Sequence, residues 1–159
     1  IMFRKIRRVK NEISLEDTKL LLKNNKRATL SVNGLNGYPH SFPINYFYNA
    51  EENKLYFHGA KMGYKIDCIN KDNRATFVTF GNEVLTEDGW SYKVSSAIAY
   101  GKIELIEDRE ETLKFVKELA MKYYTSEKEV DEVIKRSGSA VLVYRLNIEH
   151  LTGKIVHEK

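Results

Sequence analysis

The chain has 159 residues, a mass of 18.5 kDa, 42% hydrophobic and 30% charged residues, and a formal net charge of +4 with a pI near 9.0. That size and balance fit a single domain over 1–159 with a buried core, and no apolar run approaches the roughly 20 residues of a membrane-spanning helix. Cys68 is the sole cysteine, which excludes an internal disulfide and fits a reducing, cytoplasmic compartment. The opening IMFRKIRRVK carries Arg4, Lys5, Arg7, Arg8 and Lys10 without an apolar stretch of signal-peptide length, and reads as a solvated arm. Ser14 begins a helix: its hydroxyl can cap the free amides, Asp17 can reach back, and the helix runs to about Asn25. Arg27 to Val32 (RATLSV) has strand composition. Asn33-Gly34-Leu35-Asn36-Gly37 is turn chemistry, because Asn and Gly tolerate positive φ. His40 to Tyr48 (HSFPINYFY) is a second strand, interrupted by Pro43, which has no amide to donate and belongs on an edge or at a bulge. Asn49 to Asn53 turns the chain, and Lys54 to His58 is a third strand. A loop leads into a short helix from Tyr64 to about Asn70. Ala75 to Phe80 is a fourth strand, Gly81 to Tyr92 a polar loop holding Trp90, and Val94 to Ile106 a long fifth strand. Glu110 to Tyr124 is an amphipathic helix, with Leu113, Val116, Leu119 and Ala120 at helical spacing. Ser126 caps another helix, and Ala140 to Leu146 (AVLVYRL) is the sixth strand. Six strands, mostly in hairpin order with helices at the margins, predict a mainly β, α+β domain: a small six-stranded antiparallel barrel.

One short stretch suggests chemistry. In HGAKMGYK, residues 58–65, a strand ends in a histidine and gives way to two glycines, two lysines and a helix start. Helix N-termini present unpaired amides and partial positive charge. Glycines let the backbone approach closely, and Lys61, Lys65 and His58 can donate to an anion. A phosphate would fit there; so would a plain tight turn with solvated lysines, and the spacing alone leaves both open. In Ser41-Phe42-Pro43-Ile44-Asn45-Tyr46, proline frees a backbone group that could meet a planar heterocycle. In SSAIAYG, residues 95–101, alternation puts Ala97, Ala99 and Gly101 on one face and Ser96, Ile98 and Tyr100 on the other. The small face suits either a close ligand or a tightly packed barrel interior.

Three blocks in order, RATLSVNGLNGYPHSFPINYFYN, LYFHGAKMGYKIDCINKDNRATFVTF and KVSSAIAYGKIELIED, resemble the pyridoxamine 5′-phosphate oxidase-like superfamily, and most of all its nitroimidazole-resistance branch. The resemblance implies a split β-barrel that dimerises and binds FMN in two clefts between subunits. By position it implies His58, Lys61, Gly63 and Lys65 around the FMN phosphate. It places Pro43, Ile44, Asn45 and Tyr46 along the isoalloxazine edge and Ser96 at the ring or ribityl chain. Tyr64 stands where a basic residue is frequent. True pyridoxamine phosphate oxidases resemble one another in a C-terminal Trp and Arg-Leu segment that holds the substrate; here the end reads VYRLNIEHLTGKIVHEK, and the sole tryptophan is Trp90. The expected function is therefore an FMN-binding oxidoreductase acting on a small electron acceptor, such as a nitroaromatic compound, rather than vitamin-B6 oxidation. The alternative is a non-catalytic flavin sensor or store. The four histidines have no metal-ligand spacing with each other or with Cys68. The aromatic residues are spread at core spacing rather than as a base-stacking platform, so nucleic acid is not the expected partner.

Overall fold

The computed structural model describes residues 3–158. They form helices α1 (Leu15–Asn24), α2 (Tyr64–Lys71), α3 (Arg109–Met121) and α4 (Glu127–Ser137). The strands are β1 (Arg27–Asn33), β2 (Pro39–Asn45), β3 (Phe47–Asn49), β4 (Lys54–Ala60), β5 (Arg74–Leu85), β6 (Tyr92–Ile106) and β7 (Val141–Glu158). Together they make one antiparallel sheet in the order β2-β1-β5-β6-β7-β4-β3. Its two edge strands are consecutive in the chain, with only Tyr46 between them. The sheet therefore curls until its edges meet at a covalent link, not at a hydrogen-bonded ladder. This is an antiparallel split barrel.

The strands differ from the sequence expectation in three places. His40 to Tyr48 is not one strand but two, which raises the count from six to seven. Tyr46 leaves the ladder because its amide donates to the Tyr123 hydroxyl at 2.9 Å and its own hydroxyl donates to the Leu22 carbonyl at 2.7 Å. Pro43 does lie on an edge strand, where a missing donor is tolerated. The supposed loop Gly81 to Tyr92 is largely strand. An irregularity at Gly81 (φ 154) and Asn82 (φ 51) is followed by resumed pairing at Val84 opposite Lys93, which leaves only 86–91 as the turn. The final strand continues past Leu146 to Glu158, because β6 offers it a partner along 15 residues.

Local chemistry explains the remaining elements. Ser14 accepts the Asp17 amide at 3.0 Å and so caps α1, whose Leu21 and Leu22 close one end of the barrel. Asp108 and Ser126 cap α3 and α4 in the same way. Leu30, Leu55, Phe57, Phe77, Tyr144 and Leu146 fill the interior with no exposed surface. On β6 the small face, Ala97, Ala99 and Gly101, is the packed interior, and Ser96, Ile98 and Tyr100 face outwards. A second cluster joins Tyr56, Ile106, Phe115 and Val143, with the Tyr56 and Phe115 rings stacked at 4.0 Å. It docks α3 on the outside of β4 and β7 and hangs the α3–α4 hairpin over that side of the barrel. Among the described residues no helix is long and apolar enough to cross a membrane, and no His, Cys, Asp and Glu cluster is arranged to hold a metal ion.

Candidate functional site

Gly63, with φ at 135°, turns the chain from the end of β4 into α2 in a conformation that side-chain-bearing residues rarely adopt. It has no side chain to cap the helix, and its carbonyl receives the Ile66 and Asp67 amides at 3.0 and 3.1 Å. The amides of Tyr64 and Lys65 have no earlier helical carbonyl to bond, so this N-terminus keeps its positive end. The helix is fastened at both ends. Tyr64 accepts the Leu35 amide at 3.0 Å through its hydroxyl and meets the His40 ring edge-on at 4.9 Å. Asp72, at the other end, takes a 2.9 Å bond from Asn33 and a 2.6 Å ion pair from Arg74, whose hydrogen bonds hold its carboxyl well below the usual range. The Asn33-to-Gly37 turn is thus a clamp on α2 as well as a surface turn.

Lys65 is half-buried, with its ammonium 4.2 Å from the centre of the Phe42 ring. His58 stands beside it at the end of β4. Partial desolvation first, then the Lys65 charge, lower the imidazole from its ordinary value, although His58 is exposed at the strand end. An uncapped helix start, a lysine and an imidazole close together in the chain are groups that could hold an anion.

The family model described as pyridoxamine 5′-phosphate oxidase matches residues 14–155. The chain belongs to the pyridoxamine 5′-phosphate oxidase family. No curated protein sequence matches it. It shares its fold with a candidate 5-nitroimidazole antibiotic resistance protein from Bacteroides thetaiotaomicron (22% identity, 91% of this chain and 85% of that one, TM-score 0.75). A conserved hypothetical protein from Mycobacterium tuberculosis is similar over 94% and 89% of the two chains (16% identity, TM-score 0.76). So is an FAD- and haem-binding protein from Mycobacterium smegmatis, over 89% and 71% (18% identity, TM-score 0.67).

Within this member of the family, the remaining candidate residues are spread over several elements. Lys61 is exposed and donates to the Ser139 carbonyl at 2.8 Å, which ties the loop to the segment before β7. Pro43 is exposed on β2 and Ile44 is in the core. Asn45 is half-buried and, with His58, lines a cavity of about 400 Å³ beneath the α3–α4 hairpin. Ser96 faces outwards on β6, opposite Phe80 and Lys154, and is separated from β4 by β7. The Tyr46 side chain belongs to the core: it meets Phe77 edge-on at 4.8 Å and is fully buried. Its backbone is held by the Tyr123 hydroxyl, which accepts the Tyr46 amide and lies 2.7 and 2.9 Å from the Lys26 and Tyr46 carbonyls. Sequence reasoning did not single out Tyr123 or Arg27 beside it, since the contacts join positions 77 and 97 residues apart.

Lys122 places its ammonium 3.8 Å from the centre of the Tyr46 ring, buried and without a hydrogen-bond partner. Burial, then Lys26, push it down to about 8 from 10.5. The folded protein therefore sheds this proton before the unfolded chain does, and stability should rise with pH between about 8 and 10.5. Solvent screening and the favourable ring face reduce the gain to about 1 kcal/mol. Burial holds Tyr46, Tyr56 and Tyr144 well above their ordinary value, so as pH approaches 10 the unfolded chain ionises its tyrosines first and stability falls, which closes the window from above. Denaturant unfolding at pH 7.5 and 9, below the range where the tyrosines of the unfolded chain ionise, should show the rise in the parent but not in Lys122→Met, which should be the more stable at pH 7.5. An unchanged pH slope in the variant would refute the assignment.

Proposed function

We propose that this chain is an FMN-dependent oxidoreductase that passes electrons to a small acceptor, such as a nitroaromatic compound, as a cytoplasmic homodimer. The observation that carries the reading is the bend where the uncapped start of α2, Lys65 and His58 come together, in a member of the pyridoxamine 5′-phosphate oxidase family. A dianionic phosphate supplies what that bend lacks. The bound flavin supplies the redox chemistry. Lys65 and the first α2 amides bind the phosphate, the β2 end with Pro43, Ile44 and Asn45 runs beside the ring, and His58 can hold a proton at an imidazole nitrogen. Arg145 supports an acceptor other than a B6 vitamer. Its guanidinium is bound to Glu104 at 2.9 Å and to Glu111 at 3.0 Å, so it is not free to grip a substrate phosphate.

The dimer reading rests on the outer face. Phe80 and Trp90 are 67% and 87% exposed on the β5–β6 arm, with Val84, Leu85, Tyr92 and Ile155 also exposed. A second copy would bury this apolar surface and bring an outward-facing Ser96 towards the partner's flavin. Light scattering at micromolar concentration should give twice 18.5 kDa; a monomer would count against the dimer and the shared cleft. For the cofactor, the purified protein should be yellow with flavin absorption bands, and the released flavin should have the mass of FMN. Anaerobic reduction by NADPH, followed by reoxidation as a nitroaromatic compound is consumed, supports catalysis. A protein that takes up FMN but turns over no acceptor is a flavin store or sensor. A colourless protein that takes up no flavin refutes the proposal.

A further inference from the structure

The α3–α4 hairpin leaves its inner side incompletely filled. Val130, Val133 and Ile134 lie at helical spacing on α4, yet only Val130 is fully buried. With Val116, Leu119 and Ala120 of α3 they wall the cavity of about 400 Å³ that Asn45 and His58 reach from the sheet. That volume is in the range of small-ligand pockets. No carboxylate lines it, and its one permanent cation is Arg27. Arg27 has no ion-pair partner among the described residues; its guanidinium lies 5.5 Å from the Tyr123 ring centre. A partly apolar cavity, with polar side chains at its edge and an exposed, unpaired arginine at its mouth, matches a ligand with an apolar body and one negative charge.

We infer that this cavity binds a small apolar carboxylate, its body between α3, α4 and the sheet and its carboxylate at Arg27. The placement beside the flavin rests on the function proposed above, because His58 and Asn45 belong to both; the pocket itself does not depend on it. A ligand held there is within reach of His58, which is where an electron acceptor or an inhibitor of the flavin reaction would act.

The test uses flavin-free full-length protein, with biphenyl-4-carboxylate as probe and biphenyl-4-carboxamide as its uncharged counterpart, by isothermal calorimetry. Both should bind, the carboxylate more tightly. Arg27→Gln should weaken the carboxylate about ten-fold, the value of one charge-assisted contact, and leave the carboxamide unchanged. Ala120→Trp, which fills the chamber, should abolish both. If its thermal melt shows that it does not fold, Val133→Trp replaces it. FMN should bind Arg27→Gln as it binds the parent. The inference is overturned if neither probe binds, if Arg27→Gln leaves the carboxylate affinity intact, or if FMN competes with the probe, which would make the cavity part of the flavin seat. Arg27-dependent probe binding by a protein that takes up no flavin keeps the pocket and removes the flavin reading.

Discussion

Gly101→Ala should unfold the protein at temperatures the parent survives, at a cost of about 3 kcal/mol or more. A Cβ at this position would fall onto the Asn147 carbonyl oxygen, 2.9 Å from its carbon and 3.2 Å from the Ile148 Cα. These are backbone atoms, and no rotamer change can clear them. The crowding comes from a bulge: Tyr100 pairs with His150 but Gly101 pairs with Ile148, so Glu149 is extra on β7. Relief would require moving the β6–β7 ladder, which runs through the middle of the sheet. Gly59→Ala is the control. Its Cβ would meet only Tyr144 Cε1 at 3.9 Å, an ordinary contact, and its stability should stay within about 1 kcal/mol of the parent. Guanidinium melts of both decide the matter: if Gly101→Ala lies as close to the parent as Gly59→Ala, the bulge is not rigid.

Lys65→Ala should weaken FMN binding by about one to two powers of ten, the equivalent of a charge-assisted contact of roughly 1.5–3 kcal/mol. The cation sits at the positive end of α2, where the helix dipole disfavours it slightly, and against the Phe42 ring, which favours it slightly. Those effects oppose one another, so the flavin-free variant should melt within about 0.5 kcal/mol of the parent. Lys61→Ala should have a smaller effect on the flavin, because its ammonium is already bonded to the Ser139 carbonyl. Flavin titrations of the two stripped variants, with melts alongside, test this. Parental affinity in Lys65→Ala, or a large loss of stability without flavin, would make Lys65 a structural residue.

Much of this protein is local, and what is local could be read from the chain. The Ser14 and Ser126 caps act within three residues, as written in the sequence. The alternation of Ala97 and Ala99 against Ser96 and Ile98 needs only the two-residue period of a strand to sort inside from outside. His58, Gly63 and Lys65 lie on one bend, so their neighbourhood follows from proximity in the chain. What the tertiary structure decided is what depends on a distant partner. Residues 40–48 have uniform strand composition, yet they divide at Tyr46 because Leu22 and Tyr123 claim that residue from elsewhere. The polar stretch after Leu146 is strand because β6 lies beside it, and β-structure is set by pairing more than by propensity. Arg27, Asn45, His58 and the α3–α4 walls meet around one cavity only when the hairpin folds back over β4, a closure that no local pattern encodes. The sequence by itself determined most of the elements, their order and the bend that carries His58, Gly63 and Lys65; the fold decided which edges meet, that Ser96 faces outwards, and what stands next to His58, because those contacts join residues that only packing brings together.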